Sequence, residues 1–110
     1  MCGIFSYIGD KYSKENLLNN FNKIKSRGPD DSRLIKVDNV ILGFHRLAIN
    51  DLSDDGMQPF VRKCGYGDKY LICNGEIYNH KDLYRTFLTT SNVKSNSDCE
   101  VIIHLYMLFG

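Results

Sequence analysis

The dipeptide Asp38-Asn39 separates two short β-rich runs, Arg33–Val37 and Val40–Phe44, and it constrains the chain more than any other feature. Two central residues of this kind suit a tight hairpin, so the strands on either side must run antiparallel. A second turn, Gly65-Tyr66-Gly67-Asp68, leads into another run, Lys69–Cys73. At the start of the chain Cys2–Ile8 alternates loosely, carries Ile, Phe and Tyr, and stops at Gly9-Asp10, which reads as a further strand.

Helical spacing is interleaved with these runs. Ser13 is an N-cap for a helix whose Leu17, Leu18, Phe21 and Ile24 share one face and which must end near Ser26, because Gly28-Pro29 breaks it. A second helix starts at Asn79 and runs through Leu83, Phe87 and Leu88. Ser97-Asp98-Cys99-Glu100 reads as a capping box ahead of Val101, Ile102, Leu105 and Leu108. Asp51–Pro59 is polar and turn-rich, hence a loop. Strands and helices mixed in this order predict an α+β fold with an antiparallel sheet. At 110 residues that is one domain.

Composition removes several function classes. A net charge of +1 gives no electrostatic case for nucleic acid or an acidic membrane surface. Val101–Phe109 is the longest apolar stretch, contains His104, and is far short of the ~20 residues of a membrane span. No basic residue precedes Asp10, so no secretory signal is read, and Cys2, Cys64, Cys73 and Cys99 are expected as free thiols in a reducing cytoplasm. A zinc site from these and His45, His80 and His104 lacks the ligand pairing zinc needs. Gly65-x-Gly67 has no third glycine, and no phosphate cradle is visible.

The residues able to carry chemistry each have a plain structural alternative. Cys2 follows Met1, and an initiator Met is removed when the next residue is small. Cys2 would then hold both a thiol and an α-amine, with pKa values of roughly 8.5 and 7.7–8.0, making it nucleophile and general base together. It is otherwise a buried strand cysteine. Arg46 ends a strand, where it either grips a carboxylate with two parallel hydrogen bonds or pairs with Asp51. Asn74-Gly75 closes a strand, and its two donors can form an oxyanion hole or only a turn. Asp98 suits a helix N-terminus and equally an ammonium group. Glu76 and Tyr78 are ambiguous, as is Ser26-Arg27-Gly28-Pro29-Asp30, a pocket wall or a loop.

Five segments in this order resemble one family. They are Met1-Cys2-Gly3-Ile4, Arg27-Gly28-Pro29-Asp30, His45-Arg46-Leu47-Ala48-Ile49-Asn50-Asp51, Asn74-Gly75-Glu76-Ile77-Tyr78-Asn79-His80 and Ser97-Asp98-Cys99-Glu100. The chain resembles the start of a class II glutamine amidotransferase domain, of the N-terminal-nucleophile hydrolase superfamily. Gly56-x-Gln58-Pro59 and the Glu-Ile-Tyr-Asn run bring it closest to the glutamine-hydrolysing asparagine synthetase branch. The resemblance implies an αββα sandwich of antiparallel sheets that continues beyond Gly110, so residues 1–110 would be its N-terminal part. It implies Cys2 as nucleophile and Asn74 and Gly75 as oxyanion donors. Arg46 would bind the glutamine α-carboxylate, and Asp98 with Glu76 the α-ammonium. No metal or cofactor is implied for this chain. ATP and Mg would belong to the absent synthetase domain or chain, the partner that receives ammonia. The competing expectation is a non-catalytic remnant that binds glutamine or docks.

Overall fold

A computed structural model describes all residues 1–110. Strand β3 (Val40–Arg46) is the centre of a three-stranded antiparallel sheet, with β1 (Gly3–Ile8) on one side and β2 (Asp31–Val37) on the other. Val37 pairs with Val40 across the expected two-residue turn. Asp38 takes a φ of +53°, a left-handed conformation that Asp tolerates better than most residues. The hairpin is longer than its β-rich core, since Asp31 still pairs with Arg46.

One face of this sheet is covered by helix α1 (Lys14–Asn22). Ser13 Oγ accepts the Asn16 N–H at 3.1 Å, the cap read from the sequence. Leu17 and Phe21 are buried, but Leu18 is exposed. The helix also ends earlier than its periodicity predicts. Lys23 and Ile24 donate to carbonyls three residues back, which tightens the last turn, and a single 3₁₀ turn follows at Lys25–Arg27. Phe21 lies so close to β3 that a Cβ on Gly43 would sit 2.6 Å from its Cε2. The Phe21 ring stacks on His45 at 3.8 Å and 10°.

His45 is fully buried and satisfied at both nitrogens. The Phe21 carbonyl can only accept, so Nε2 carries the proton at 2.9 Å and Nδ1 accepts the Ser32 hydroxyl at 2.6 Å. It is a core histidine.

The sheet's other face is apolar and partly open. Ile4 and Ile8 are exposed there, and Leu42, Val40, Ile35 and Val37, aligned with them by register, are half-buried.

A second antiparallel pair joins β4 (Phe60–Arg62) to β5 (Lys69–Leu71) and packs against α3 (Glu100–Phe109). Phe60, Cys99 and Ile103 form the centre of this half, with Leu71 and Cys73 against them. Strand β5 stops at Leu71, not at Cys73, because the residue facing Ile72 in this register is Pro59, which has no N–H for the ladder. Helix α2 (His80–Phe87) packs on α3, with Tyr84 edge-on to His104 and Phe87 edge-on to Phe109. Two antiparallel sheets and three α-helices make this an α+β fold. No helix is long and apolar enough to cross a membrane.

The expected capping box at the start of α3 does not form. No side chain caps that helix, and its first N–H groups make contracted bonds to the carbonyls of Ser97, Asp98 and Cys99. The Glu100 carboxylate, which would have reached back to Ser97, is taken elsewhere. It accepts from Arg62, from the Lys94 and Ser95 N–H groups, from the Ser95 hydroxyl and from His104. A buried carboxylate binds where charge and donors are densest, and a guanidinium outcompetes one orphan N–H.

Candidate active site

The register of β1 on β3 decides where the first thiol lies. Gly3 pairs with His45, so Cys2 falls beside Arg46 and Leu47, where β3 leaves the sheet. The Leu47 N–H donates to Cys2 Sγ at 3.3 Å, and the thiol reaches the Leu47 carbonyl at 3.6 Å. The Arg27–Asp30 motif grips the same place. Arg27 Nε donates to the Cys2 carbonyl at 3.3 Å, while Asp30 accepts the Ala48 N–H at 2.8 Å and donates its own N–H to the Arg46 carbonyl at 3.0 Å. This segment therefore buttresses the thiol from behind.

Arg46 is 6% exposed. Its Nη1 donates to the Ser53 carbonyl at 2.8 Å, and its Nη2 is buried with no partner. Of the two alternatives read from the sequence, the pairing with Asp51 does not form: no direct ion pair joins the two. Asp51 instead accepts the Ser53 N–H and hydroxyl on one oxygen and the Asn96 N–H on the other. Burial opposes ionisation of Asp51, but these hydrogen bonds and the nearby Arg46 charge outweigh it and hold its pKa below the usual carboxylate value. A Cβ on Gly56 would lie 2.9 Å from Arg46 Nη2 and 2.8 Å from Asp51, so only glycine lets the loop close over this pair.

Asp98 Oδ2 accepts the Ile77 N–H at 2.6 Å, which ties the Asn74–His80 loop to the start of α3. Cys99 reaches the Gly75 carbonyl at 3.4 Å. Desolvation pushes the Cys99 thiol far above its ordinary pKa, and Cys73, Asp98 and Cys2 add to the effect, so Cys99 stays protonated. Glu76 is exposed at the rim, where its hydrogen bond and charge raise the Tyr78 phenol.

The segments around Cys2, Arg46–Asp51, Asn74–Tyr78 and Ser97–Cys99 open on one cavity of about 430 Å³, whereas Arg27–Asp30 supports Cys2 without lining it. Cys2, Arg46, Asn74, Gly75, Glu76 and Asp98 all line it. It lies within the ~300–1,000 Å³ range of small-molecule sites. Buried side-chain polar atoms without partners are Arg46 Nη2, Arg62 Nε and Tyr84 Oη, and Arg46 alone of these residues lines the cavity. No cluster of three His, Cys, Asp or Glu side chains is placed to hold a metal.

Comparison with known proteins decides the family. The glutamine amidotransferase domain model matches residues 1–110. The chain belongs to this family. The amidotransferase domain is 39% identical over 117 residues to a probable glutamine-hydrolyzing asparagine synthetase of Acanthamoeba polyphaga mimivirus, covering 100% of this chain and 20% of the relative. It is 43% identical over 110 residues to the glutamine-hydrolyzing asparagine synthetase of Rattus norvegicus, covering 96% of the chain and 19% of the relative. A Bacillus subtilis asparagine synthetase is 45% identical over 83 residues, 76% of the chain and 11% of the relative. The amidotransferase domain thus spans about a fifth of the length of the first two relatives.

Sequence reasoning offered Asp51 only as an ion-pair partner for Arg46 and assigned no role to Leu47. Asp51 carried a signal, an acid five residues after a strand-end arginine, but that signal pointed to an ion pair. Leu47 acts through its backbone and carried none.

Proposed function

We propose that this domain hydrolyses glutamine to glutamate and ammonia, with Cys2 as nucleophile. The observation that carries the reading is the convergence of Cys2, Arg46, Asn74, Gly75, Glu76 and Asp98 on one cavity in which a buried guanidinium nitrogen lacks a partner. An unfilled buried donor costs ~1–3 kcal/mol, more when charged, and a ligand carboxylate removes that cost.

Once Met1 is removed, the Cys2 amine takes the thiol proton and the thiolate attacks the glutamine side-chain carbonyl carbon. The Asn74 amide and the Gly75 N–H stabilise the oxyanion. Collapse of the tetrahedral adduct breaks the C–N bond, the amine returns the proton, and ammonia leaves. Water, deprotonated by the same amine, then hydrolyses the thioester to glutamate and restores the thiol. Arg46 Nη2 holds the α-carboxylate, while Asp98 Oδ1 and Glu76 hold the α-ammonium. Nucleophile, base and oxyanion donors all come from the chain, so the half-reaction calls on no cofactor from it.

The names and lengths of the relatives support a synthetase domain or chain as the acceptor of the ammonia, with ATP and Mg used there. The half-open apolar face of the β1–β3–β2 sheet supports an αββα sandwich in which a second sheet covers that face, and residues 1–110 as the N-terminal part of the domain. Four free thiols suit a reducing cytoplasm. Chain lacking Met1, incubated with glutamine, releases glutamate and equimolar ammonia. Absence of turnover together with absence of Cys2 labelling by an electrophilic glutamine analogue overturns the reading.

A further inference from the structure

The Asn74-Gly75 corner begins three residues beyond Leu71, the end of β5, outside the backbone ladder. Extending the β4–β5 register past Phe60↔Leu71 places Gln58 opposite Cys73, with Pro59 interrupting the pairing between them. Here the Gln58 side chain replaces the missing backbone partner. Cys73 N–H donates to its Oε1 at 2.6 Å, and its Nε2 donates to the Cys73 carbonyl at 3.2 Å. Gln58 is 4% exposed and lines the same cavity as Cys2. An amide offers one acceptor and one donor, as a strand peptide does, so both polar groups of Cys73 are satisfied in the last residue before Asn74.

We propose that Gln58 is a positioning residue for the oxyanion hole, a role that rests on the glutaminase reading above. The Cys73 carbonyl belongs to the peptide that carries the Asn74 N–H, so anchoring it fixes the direction in which Asn74 and Gly75 leave the strand. Oxyanion donors act at about 2.7–3.1 Å from the developing charge, and a displacement near 1 Å costs about 10²-fold. Gln58 bonds to none of the groups that hold Arg46 or Asp98. Its loss therefore falls on the transition state more than on the bound substrate.

The test uses Gln58→Met and Gln58→Glu in the full chain lacking Met1. Gln58→Met removes both hydrogen bonds at similar volume, and kcat falls about 10- to 100-fold with KM within about threefold. The γ-aldehyde analogue of glutamate gives a second readout. Cys2 sulfur bonds to the aldehyde carbon, the carbonyl electron pair moves to oxygen, and the thiol proton follows it, giving a hemithioacetal whose oxygen occupies the oxyanion site. Affinity for this analogue drops by the same factor as kcat/KM, while inhibition by glutamate is unchanged. In Gln58→Glu the ionised carboxylate accepts from Cys73 N–H but faces the Cys73 carbonyl without a donor. Its kcat relative to wild type rises as pH falls and protonation restores that donor. Undiminished kcat in folded Gln58→Met overturns the proposal. Equal loss of aldehyde and glutamate affinity does so too, since it marks general damage. If Gln58→Met does not fold, a Gln58→Glu ratio that is flat with pH overturns it instead. Wild type that neither turns over glutamine nor is labelled at Cys2 by an electrophilic glutamine analogue overturns the glutaminase reading itself, which an active wild type beside an unaffected Gln58→Met does not.

Discussion

Arg46 and Glu100 are both buried charges, yet their surroundings are opposite. Glu100, 0% exposed, is bound on both oxygens by Arg62, Lys94, Ser95 and His104. Arg46 has one nitrogen on the Ser53 carbonyl and another with nothing, because Asp51 directs its oxygens to Ser53 and Asn96. A charge whose partners are all internal joins segments of the fold, here β4, the 94–95 loop and α3. A charge left with an open donor is a cost to the empty protein that a ligand relieves. The open donor alone does not mark a site, since Arg62 beside Glu100 also has a buried Nε without a partner; Arg46 differs in lining the cavity.

The largest expected effect tests whether the chemistry belongs to the Arg46 region. Cys2→Ala lowers glutamate release by at least about 10³-fold, as loss of a nucleophile does, and shifts stability by less than ~1 kcal/mol. Residual turnover within about tenfold of wild type would move the nucleophile to Cys73, the other thiol in the cavity besides the protonated Cys99. On the other side of the comparison, Glu100→Gln leaves Arg62 without its anion. Denaturant titration then shows a loss of about 3 kcal/mol. KM for glutamine stays as in wild type. A variant of normal stability and raised KM would reverse the two roles.

The same contrast explains what was legible in the sequence. The hairpin at Asp38-Asn39, the Ser13 cap and the six cavity residues were all marked by local chemistry or by motif. The use of Glu100 was not, because Ser97-x-x-Glu100 has the spacing of a capping box and nothing nearby in sequence announces Arg62, 38 residues away. The end of β5 was hidden for a similar reason, since Ile72 and Cys73 are good strand residues and the obstacle is Pro59 on the partner. The choice left open for Arg46, between a ligand carboxylate and Asp51, could not be made from spacing, whereas in the structure Ser53 and Asn96 satisfy the Asp51 carboxylate. Partners distant in sequence entered each case, Arg62 for Glu100, Pro59 for β5 and Asn96 for Asp51, and local spacing carries no information about them.

Arg46→Lys gives a smaller effect and sharpens the reading of the open nitrogen. Lysine keeps the charge and can reach the Ser53 carbonyl but has no planar second donor. KM for glutamine rises about 10- to 100-fold, the worth of a hydrogen bond to a charged group. The α-decarboxylated analogue of glutamine, which has nothing for Nη2 to bind, is a poor substrate for both proteins with nearly equal KM. If the variant discriminates against that analogue as strongly as wild type does, Arg46 does not bind the α-carboxylate.

The smallest effect distinguishes Asp51 from an ordinary surface acid. Its folded-state pKa is held down because the Ser53 and Asn96 donors and the Arg46 charge outweigh the burial that would raise it. Such a group contributes stability that is fully present above its unfolded pKa of ~3.9 and is lost as pH falls through the lower folded value. Glu100 follows the same sign, since Ser95, Lys94 and His104 outweigh its burial and its unfolded pKa is ~4.3. Stability is therefore flat with respect to these two acids near neutral pH and declines below about pH 4. Thermal melts of Asp51→Asn show a shallower acid limb than wild type, and melts of Glu100→Gln do as well, each losing its own share. An Asp51→Asn limb parallel to wild type would mean that Ser53 and Asn96 hold the neutral acid as well as the carboxylate, and the electrostatic link from Asp51 to Arg46 would fall with it.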